Sequence, residues 1–146
     1  MKLISSSGSL DSFELSILGY GTASTTWRDR NRLQCRVSTF WRQKSDTQSA
    51  PLQTWEVKRL LSGLRSLWNK AANRITFNFS EPGLSMEAKT MAENTYQLQI
   101  QLGHSLKPAW DAYPDVPIEV TILLDRNQLQ EAIQDLSGQV ATYPER

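Results

Sequence analysis

The sequence is short of the residues that most often build small active sites. It has one cysteine and one histidine among 146 residues. A lone Cys35 excludes an internal disulfide, and no Cys/His cluster with zinc-ligand spacing is present. A histidine-based triad or a paired-histidine metal site would depend on His104 alone. These absences weigh against the common histidine and cysteine chemistries.

Long apolar runs are missing as well. The run near the start is only Leu3 and Ile4, too short for the hydrophobic region of a signal peptide. No stretch approaches the roughly 18 apolar residues of a transmembrane helix. We therefore expect a cytoplasmic protein, and one reduced cysteine fits that compartment. Because glycine-rich nucleotide motifs, HExxH and GxSxG are also missing, we expect no cofactor and no metal.

Length and composition indicate one globular domain. A chain of 146 residues with 39% hydrophobic residues can bury about 70% of its unfolded surface without crosslinks. No shift in composition marks a boundary, so we expect a single domain over residues 1–146. The serine-rich start, residues 1–10, is expected to be a flexible leader.

Hydrophobic periodicity predicts an α+β fold with the element order β-β-α-β-β-β-β-α. Alternation of apolar and polar residues predicts about six strands, which begin near Phe13, Leu33, Ile75, Leu84, Tyr96 and Ile118. Helical spacing of apolar residues predicts two amphipathic helices, one from Val57 to Ala71 and one from Leu129 to Val140. Short turns favour a mostly antiparallel sheet with both helices packed on one face, in two layers.

Several local signals sharpen this outline. Thr54 is expected to cap the first helix and Asn73 to end it. Gly63 is expected to cost about 1 kcal/mol relative to alanine at an exposed helical position. The polar segment 43–51 predicts an exposed loop, and the Pro-Gly pair at 82–83 predicts a turn with positive φ at the glycine.

The net charge of +1 conceals a division between the two halves of the chain. Residues 1–74 carry 12 basic and 5 acidic side chains, a net charge of +7. Residues 75–146 carry 4 basic and 10 acidic side chains, a net charge of −6. The halves either pair with each other in the fold or present two different faces to partners.

The densest basic segment, residues 27–44, interleaves arginine with aromatic residues. A nucleic-acid patch in it would consist of Trp27, Arg28, Arg30, Arg32, Arg36 and Trp41. Arginine beside aromatic rings is typical of single-strand nucleic-acid platforms. The alternative places Arg36 on the wet face of a strand and the other residues on solvated loops. Near-neutral total charge favours that alternative, so a nucleic-acid partner is not expected.

Catalytic candidates are few, and each has a simpler interpretation. No sequence pattern supplies His104 with the orienting partner that a general base needs, which favours a turn or surface histidine. Cys35 falls on the apolar side of its strand, where burial would make it inert. Glu87 is expected to face water and Glu81 to stabilise the Pro-Gly turn, which argues against a carboxylate pair. We predict no catalytic residue; a small enzyme that uses acidic residues alone is the alternative.

An acidic series with one tryptophan follows the fifth predicted strand. Trp110 lies in a loop and is either a lid over the core or an exposed anchor for a partner. A possible partner-binding set is Trp110, Asp111, Asp115 and Glu119. The spacing of its carboxylates fits no calcium loop.

Six segments together resemble the WapI-like family of bacterial toxin-immunity proteins, many members of which are uncharacterised. The segments are residues 13–20, 29–33, 54–57, 79–84, 108–110 and 143–146. Their order and spacing span nearly the whole chain. The chain departs from the family pattern at Arg32, where tryptophan is usual, and at Gly83, where asparagine is usual.

The resemblance implies a non-catalytic protein that neutralises a cognate toxin by direct complex formation. The implied partner is a toxin domain. If that toxin is a basic nuclease, the acidic half of this chain would suit it, because complementary charge speeds association and sets specificity. The shared residues coincide with those that we assign to core, caps and turns. The resemblance therefore implies a fold and a functional class, and it leaves the binding surface and the oligomeric state open.

Overall fold

The computed structural model describes residues 1–21, 26–108 and 116–146. Its strands are β1 (Lys2–Ile4), β2 (Ser12–Tyr20), β3 (Arg32–Trp41), β4 (Lys44–Gln53), β5 (Arg74–Asn78), β6 (Leu84–Ala92), β7 (Thr95–Leu102) and β8 (Ile118–Asp125). The helices are α1 (Trp27–Arg30), α2 (Thr54–Trp68) and α3 (Arg126–Thr142), and a 3-10 turn spans His104–Leu106.

The strands form two antiparallel sheets, one on each side of α2 in the sequence. The first sheet has the order β1-β2-β3-β4 and the second the order β5-β6-β7-β8. The predicted α+β class is confirmed, but the prediction of one sheet with about six strands and two helices is wrong in detail. The described residues form eight strands in two sheets and three helices.

The extra strands lie where the sequence predicts a leader and a loop. The expected flexible leader over residues 1–10 needs correction, because Met1 and Leu3 are 2% and 1% exposed and β1 pairs with β2. In the segment 43–51, expected to be an exposed loop, residues 44–51 belong to β4, which pairs with all of β3. Most of β4 is polar on both faces, so its sequence lacks the alternation that identifies a strand.

One hydrophobic core connects both sheets with α2 and α3. Each sheet buries one face and leaves the other to solvent, as alternating strands require. The sheets meet where the Ser6 N–H donates to the Leu123 carbonyl over 2.8 Å. Helix α2 ends at Trp68, before the predicted stop at Asn73, because Lys70 adopts a left-handed φ of 62°. No helix among the described residues is both long and apolar enough to cross a bilayer.

Two glycines are needed for close packing. A Cβ at Gly63 would lie 2.7 Å from Cε1 of Phe77, so Gly63 lets α2 approach β5 instead of being the exposed defect that its sequence suggests. A Cβ at Gly83 would collide with the carbonyl oxygen of Gly103. The positive-φ glycines of the described chain are Gly8 and Gly19, so the prediction of positive φ at Gly83 is wrong.

Candidate functional site

Asn31 is the centre of a partly buried polar cluster, which we call the hub: the buried residues Asn31, Thr54 and Glu56 and the exposed residues Ser80 and Arg146. The Asn31 side chain is fully buried at the end of α1. Its amide nitrogen donates to the carbonyls of Trp27 (2.9 Å) and Arg146 (3.0 Å). Its amide oxygen accepts from the Arg146 N–H (2.7 Å) and the Thr54 hydroxyl (3.3 Å). Four bonds fill the capacity of one amide, so Asn31 ties α1, α2 and the last residues together.

Glu56 extends the hub from α2 toward the turn after β5. It is 3% exposed, and its carboxylate accepts from the Gln53 N–H (2.9 Å), the Ser80 N–H (2.6 Å) and the Ser80 hydroxyl (2.8 Å). Three donors and the positive end of the helix compensate a buried negative charge. The predicted cap at Thr54 is wrong, because Gln53 is the N-cap and Thr54 is the first helical residue.

The last four residues close over the hub. The Arg146 guanidinium donates to the Arg30 carbonyl (3.2 and 3.0 Å) and lies 3.7 Å from the centre of the Tyr20 ring. The Tyr20 hydroxyl donates to the Pro144 carbonyl, and its ring packs edge-on against Tyr143 at 5.6 Å. Five of the six segments that carry the family resemblance therefore meet at one place, which is buried at Asn31, Thr54 and Glu56 and reaches the surface at Ser80 and Arg146.

Cys35 and His104, the candidate nucleophile and the candidate base, do not form a catalytic site together. Cys35 is 2% exposed, which confirms its predicted core position, and burial raises the pKa of its thiol to about 12. A thiol with that pKa holds almost no thiolate near neutral pH. His104 is exposed at the start of the 3-10 turn, in agreement with its predicted place in a turn.

The candidate carboxylates occupy separate positions. Glu87 lies on the outer face of β6 and pairs with Arg74 at 3.2 Å, so its predicted orientation toward water is confirmed. Glu81 lies in the turn before β6, where its carbonyl accepts from the Leu84 N–H over 3.2 Å. Within the ranges that the structure describes, no three His, Cys, Asp or Glu side chains are grouped to hold a metal ion.

The predicted partner-binding set is only partly visible. Trp110, Asp111 and Asp115 lie outside the described residues. Glu119 is exposed on the outer face of β8, and its carboxylate accepts from the Gln101 amide over 3.4 Å. Glu119 therefore marks the part of this set that can be placed on the fold.

The outer face of the second sheet is a broad polar surface, which we call the open face. Its members are Arg74, Thr76 and Asn78 from β5, Ser85, Glu87 and Lys89 from β6, Gln97, Gln99 and Gln101 from β7, and Glu119, Thr121 and Leu123 from β8. All twelve are exposed or half-buried, and all except Leu123 are polar or charged. At about 4.8 Å between strands, the face is about 14 Å wide. It offers many hydrogen-bonding groups and little apolar area.

Two shallow cavities lie on and beside the open face. One of about 160 Å³ is lined by Thr76, Gln99 and Glu119 among others. A second of about 300 Å³ lies at the sheet end, beside Gly83, His104 and Pro117. Ser85 and Gln101 line both cavities. This relief gives the polar surface the concavities that can receive side chains of a partner.

The structure separates the proposed nucleic-acid patch into three places. Trp27, Arg28 and Arg30 are exposed on α1. Arg32 and Arg36 are exposed on the outer face of the first sheet, as the alternative interpretation expects for Arg36. Trp41 packs against the core from the opposite face of β3, with the Arg42 guanidinium 4.3 Å from its ring centre. Because alternate strand residues point to opposite faces, Trp41 does not join Arg36 in one platform.

The charge division follows the architecture. Residues 1–74 form the first sheet with α1 and α2, and nearly all of the second sheet and α3 lie in residues 75–146. The oppositely charged halves therefore do not face each other across a single sheet. They do meet locally, for example where Arg74 pairs with Glu87 at the first rows of the open face.

Comparison with known proteins places these features in a family. The model of the immunity protein WapI-like family matches residues 2–144. The chain belongs to the WapI-like immunity protein family. No curated protein and no solved structure matches it significantly. In this WapI-like protein the family match covers the open face and every hub residue except Arg146, because it spans both sheets and all described helices.

Proposed function

We propose that this WapI-like protein neutralises a cognate toxin by forming a direct protein–protein complex, with no catalytic step of its own. The family match over residues 2–144 is the observation that carries the proposal. The placement of the candidate catalytic residues supports it, since Cys35 is buried with a raised pKa and Glu87 is held in an ion pair. We place this complex in the cytoplasm.

The proposed contact surface is the β8 side of the open face together with the neighbouring acidic residues. It would comprise Trp110, Asp111, Asp115 and Glu119. Residues 81–125 carry seven acidic and two basic side chains, a net charge of −5. That charge favours a basic partner, because complementary potentials accelerate encounter and discriminate against wrong partners.

Co-expression tests the proposal. The chain is produced together with the toxin domain encoded by the neighbouring gene, and growth and co-elution are measured. We expect restored growth and one co-eluting complex. If the toxin is active and this chain neither protects the cells nor binds the toxin, the proposed function is wrong.

A pair of charge reversals tests the contact surface. Glu119→Lys should weaken the complex by about tenfold or more, because it places a cation against a basic partner. Glu93→Lys, with the same charge change in the exposed turn between β6 and β7, is the matched control and should change affinity by less than about threefold. Equal affinities for the two variants would exclude Glu119 from the contact surface.

A further inference from the structure

The segment that begins after Glu56 in the first turn of α2 and ends two residues past β5 carries charge of one sign. Residues 57–80 contain five basic side chains and no acidic one. They are Lys58, Arg59, Arg65, Lys70 and Arg74, and all five are exposed. Arg74 pairs with Glu87 and Arg65 donates to the Ser137 hydroxyl over 3.1 Å. Lys58 and Arg59 form no ion pair within the described chain, so their charges face solvent, and Arg59 lies beside β5.

Strand β5 is the terminal strand of the second sheet, and its free edge can be derived from the ladder. The Thr90 N–H donates to the Asn73 carbonyl over 2.9 Å, which makes these opposite residues a hydrogen-bonded pair. In an antiparallel ladder such pairs alternate with non-hydrogen-bonded ones. The register 74↔89 to 78↔85 therefore directs the N–H and C=O groups of Arg74, Thr76 and Asn78 away from β6.

These outward groups are free to pair with a further strand. Three residues with one donor and one acceptor each present six backbone groups along the edge. Among the described residues none of these groups has a backbone partner outside the sheet. A short row of this kind is a template for an added strand.

The side chains next to the edge favour an acidic strand. Trp55, 41% exposed, and Arg59 border a small depression with Phe77, Asn78 and Phe79. A strand added to β5 would run past the Trp55 ring and the Arg59 guanidinium. The ring would supply apolar contact, and Arg59 would pair with a carboxylate.

The same positive charges disfavour pairing of β5 with the β5 strand of a second copy of the chain. Two β5 strands that paired would both carry the exposed cations Arg59 and Arg74 beside their edges, so edges of the same charge sign would be brought together. The free edge of the first sheet is protected differently, by Pro51 within β4. β5 contains no proline, so its cations select against self-pairing while they admit a strand of opposite charge.

We propose that the β5 edge is a docking site for an extended, acidic segment of a protein partner, bound by strand addition. The inference rests on the proposed function only in that the toxin would supply this segment. A protein segment fits better than nucleic acid, because strand addition uses the six backbone groups as well as the cations.

A peptide titration tests the site without any toxin. The probe is a peptide of about ten residues in which Glu and Val alternate, and the control peptide alternates Lys and Val. In ¹⁵N NMR spectra at low salt, the acidic peptide should shift the amide resonances of Arg74, Thr76 and Asn78. The basic peptide should not. Absence of these shifts with the acidic peptide, or equal shifts with both, would overturn the proposal.

Backbone and charge variants separate strand addition from simple charge attraction. Thr76→Pro removes an outward N–H without removing a bond to β6, and Thr76→Val keeps that N–H with a similar shape. We expect the proline variant to bind the acidic peptide about tenfold more weakly, and the valine variant to bind within about twofold of the original. Arg59→Glu should also weaken binding, whereas Arg28→Glu on α1 should not. If Thr76→Pro binds as Thr76→Val does, the cations attract any polyanion, nucleic acid included, and strand addition is wrong.

The toxin assay then distinguishes the two proposals. If the unmodified chain protects cells and Thr76→Pro protects equally well at equal stability, the edge does not receive the toxin although the proposed function stands. If the unmodified chain does not protect the cells, the proposed function is wrong. The peptide titration then tests strand addition at the β5 edge by itself.

Discussion

The hub and the open face are built from the same kinds of polar residues, yet they differ in their relation to solvent. Asn31 and Glu56 are 0% and 3% exposed, and their hydrogen bonds connect separate elements. The residues of the open face are exposed or half-buried and line shallow cavities. The segments that resemble the family form a pattern that includes the hub residues. We infer that this pattern specifies the architecture, while partner choice depends on residues that the pattern leaves free.

Two asparagines give the largest expected contrast. Asn31→Ala removes four hydrogen bonds and takes the Asn31 partner from the buried Thr54 hydroxyl and from part-buried backbone groups of Arg146, which should cost about 3 kcal/mol or more of unfolding free energy. Asn78→Ala, at the exposed end of β5, should change it by less than about 0.5 kcal/mol. Urea denaturation measures both. Similar losses for the two variants would remove the distinction between hub and open face.

Two helical glycines give the next contrast. Gly63→Ala places a methyl group against the buried Phe77 ring and should destabilise by about 1–3 kcal/mol. Gly138→Ala in α3 meets no atom within 4 Å and should stabilise by about 0.5–1 kcal/mol, because alanine has the higher helix propensity. Thermal or urea unfolding measures whether each variant is less or more stable than the original chain. Stabilisation by Gly63→Ala would show that α2 and β5 are not closely packed.

The Cys35 thiol predicts a loss of stability at alkaline pH. Burial raises its pKa from the ordinary 9.0 to about 12, so the folded state holds the proton more tightly than the unfolded state does. Its contribution is complete below about pH 9 and is lost as pH rises toward 12, amounting to about 1 kcal/mol between about pH 8 and pH 10. Unfolding curves of the original chain and of Cys35→Ala should differ by this pH-dependent amount. Parallel curves would mean that the thiol ionises freely in the folded state.

The ion pair on the open face should contribute least. Arg74 and Glu87 are partly exposed, and such pairs contribute little to stability in water. A double-mutant cycle with Arg74→Gln and Glu87→Gln should give a coupling below about 0.5 kcal/mol that vanishes at high salt. A coupling energy as large as that of a buried ion pair would show that Glu87 stabilises the fold, as the hub residues do, rather than serving the binding surface.

Local signals in the sequence were sufficient for most elements of the second sheet and for α3. The clean alternation from Tyr96 to Leu102 identifies β7. Asp125 and Gln128 have the three-residue spacing of a capping box, and they form its reciprocal bonds of 2.8 and 2.9 Å. Both signals are local in the sequence. The first is the alternation of apolar and polar residues in β7, and the second is the three-residue spacing of Asp125 and Gln128.

The division into two sheets could not be predicted in the same way. Alternation shows which face of a strand is buried, but it does not show which strands pair across α2. Strand β4 is polar on both faces for most of its length, so it carries no period of two. Its pairing depends on β3, which lies beside it only in the folded chain.

The candidate site was predicted in part. The solvent-facing positions of Glu87 and Glu119 follow from strand alternation, since neighbouring residues are apolar. Asn31 and Ser80 were missed as hub residues, because their partners are 115 and 24 residues away in the chain. Their only signal is membership in two segments of the family pattern. The five cations of residues 57–80 were visible in the sequence, but only the structure shows that two of them, Arg59 and Arg74, lie beside a free strand edge.

One spectrum compares the hub and the open face directly. The side-chain amides of Gln97, Gln99 and Gln101 on the open face and of Asn31 in the hub give separate signals in ¹⁵N NMR. On addition of the catalytically inactive toxin domain, we predict that the three glutamine signals shift and the Asn31 signal stays in place. A shift of Asn31 with unchanged glutamines would contradict the assignment of binding to the open face and of architecture to the hub.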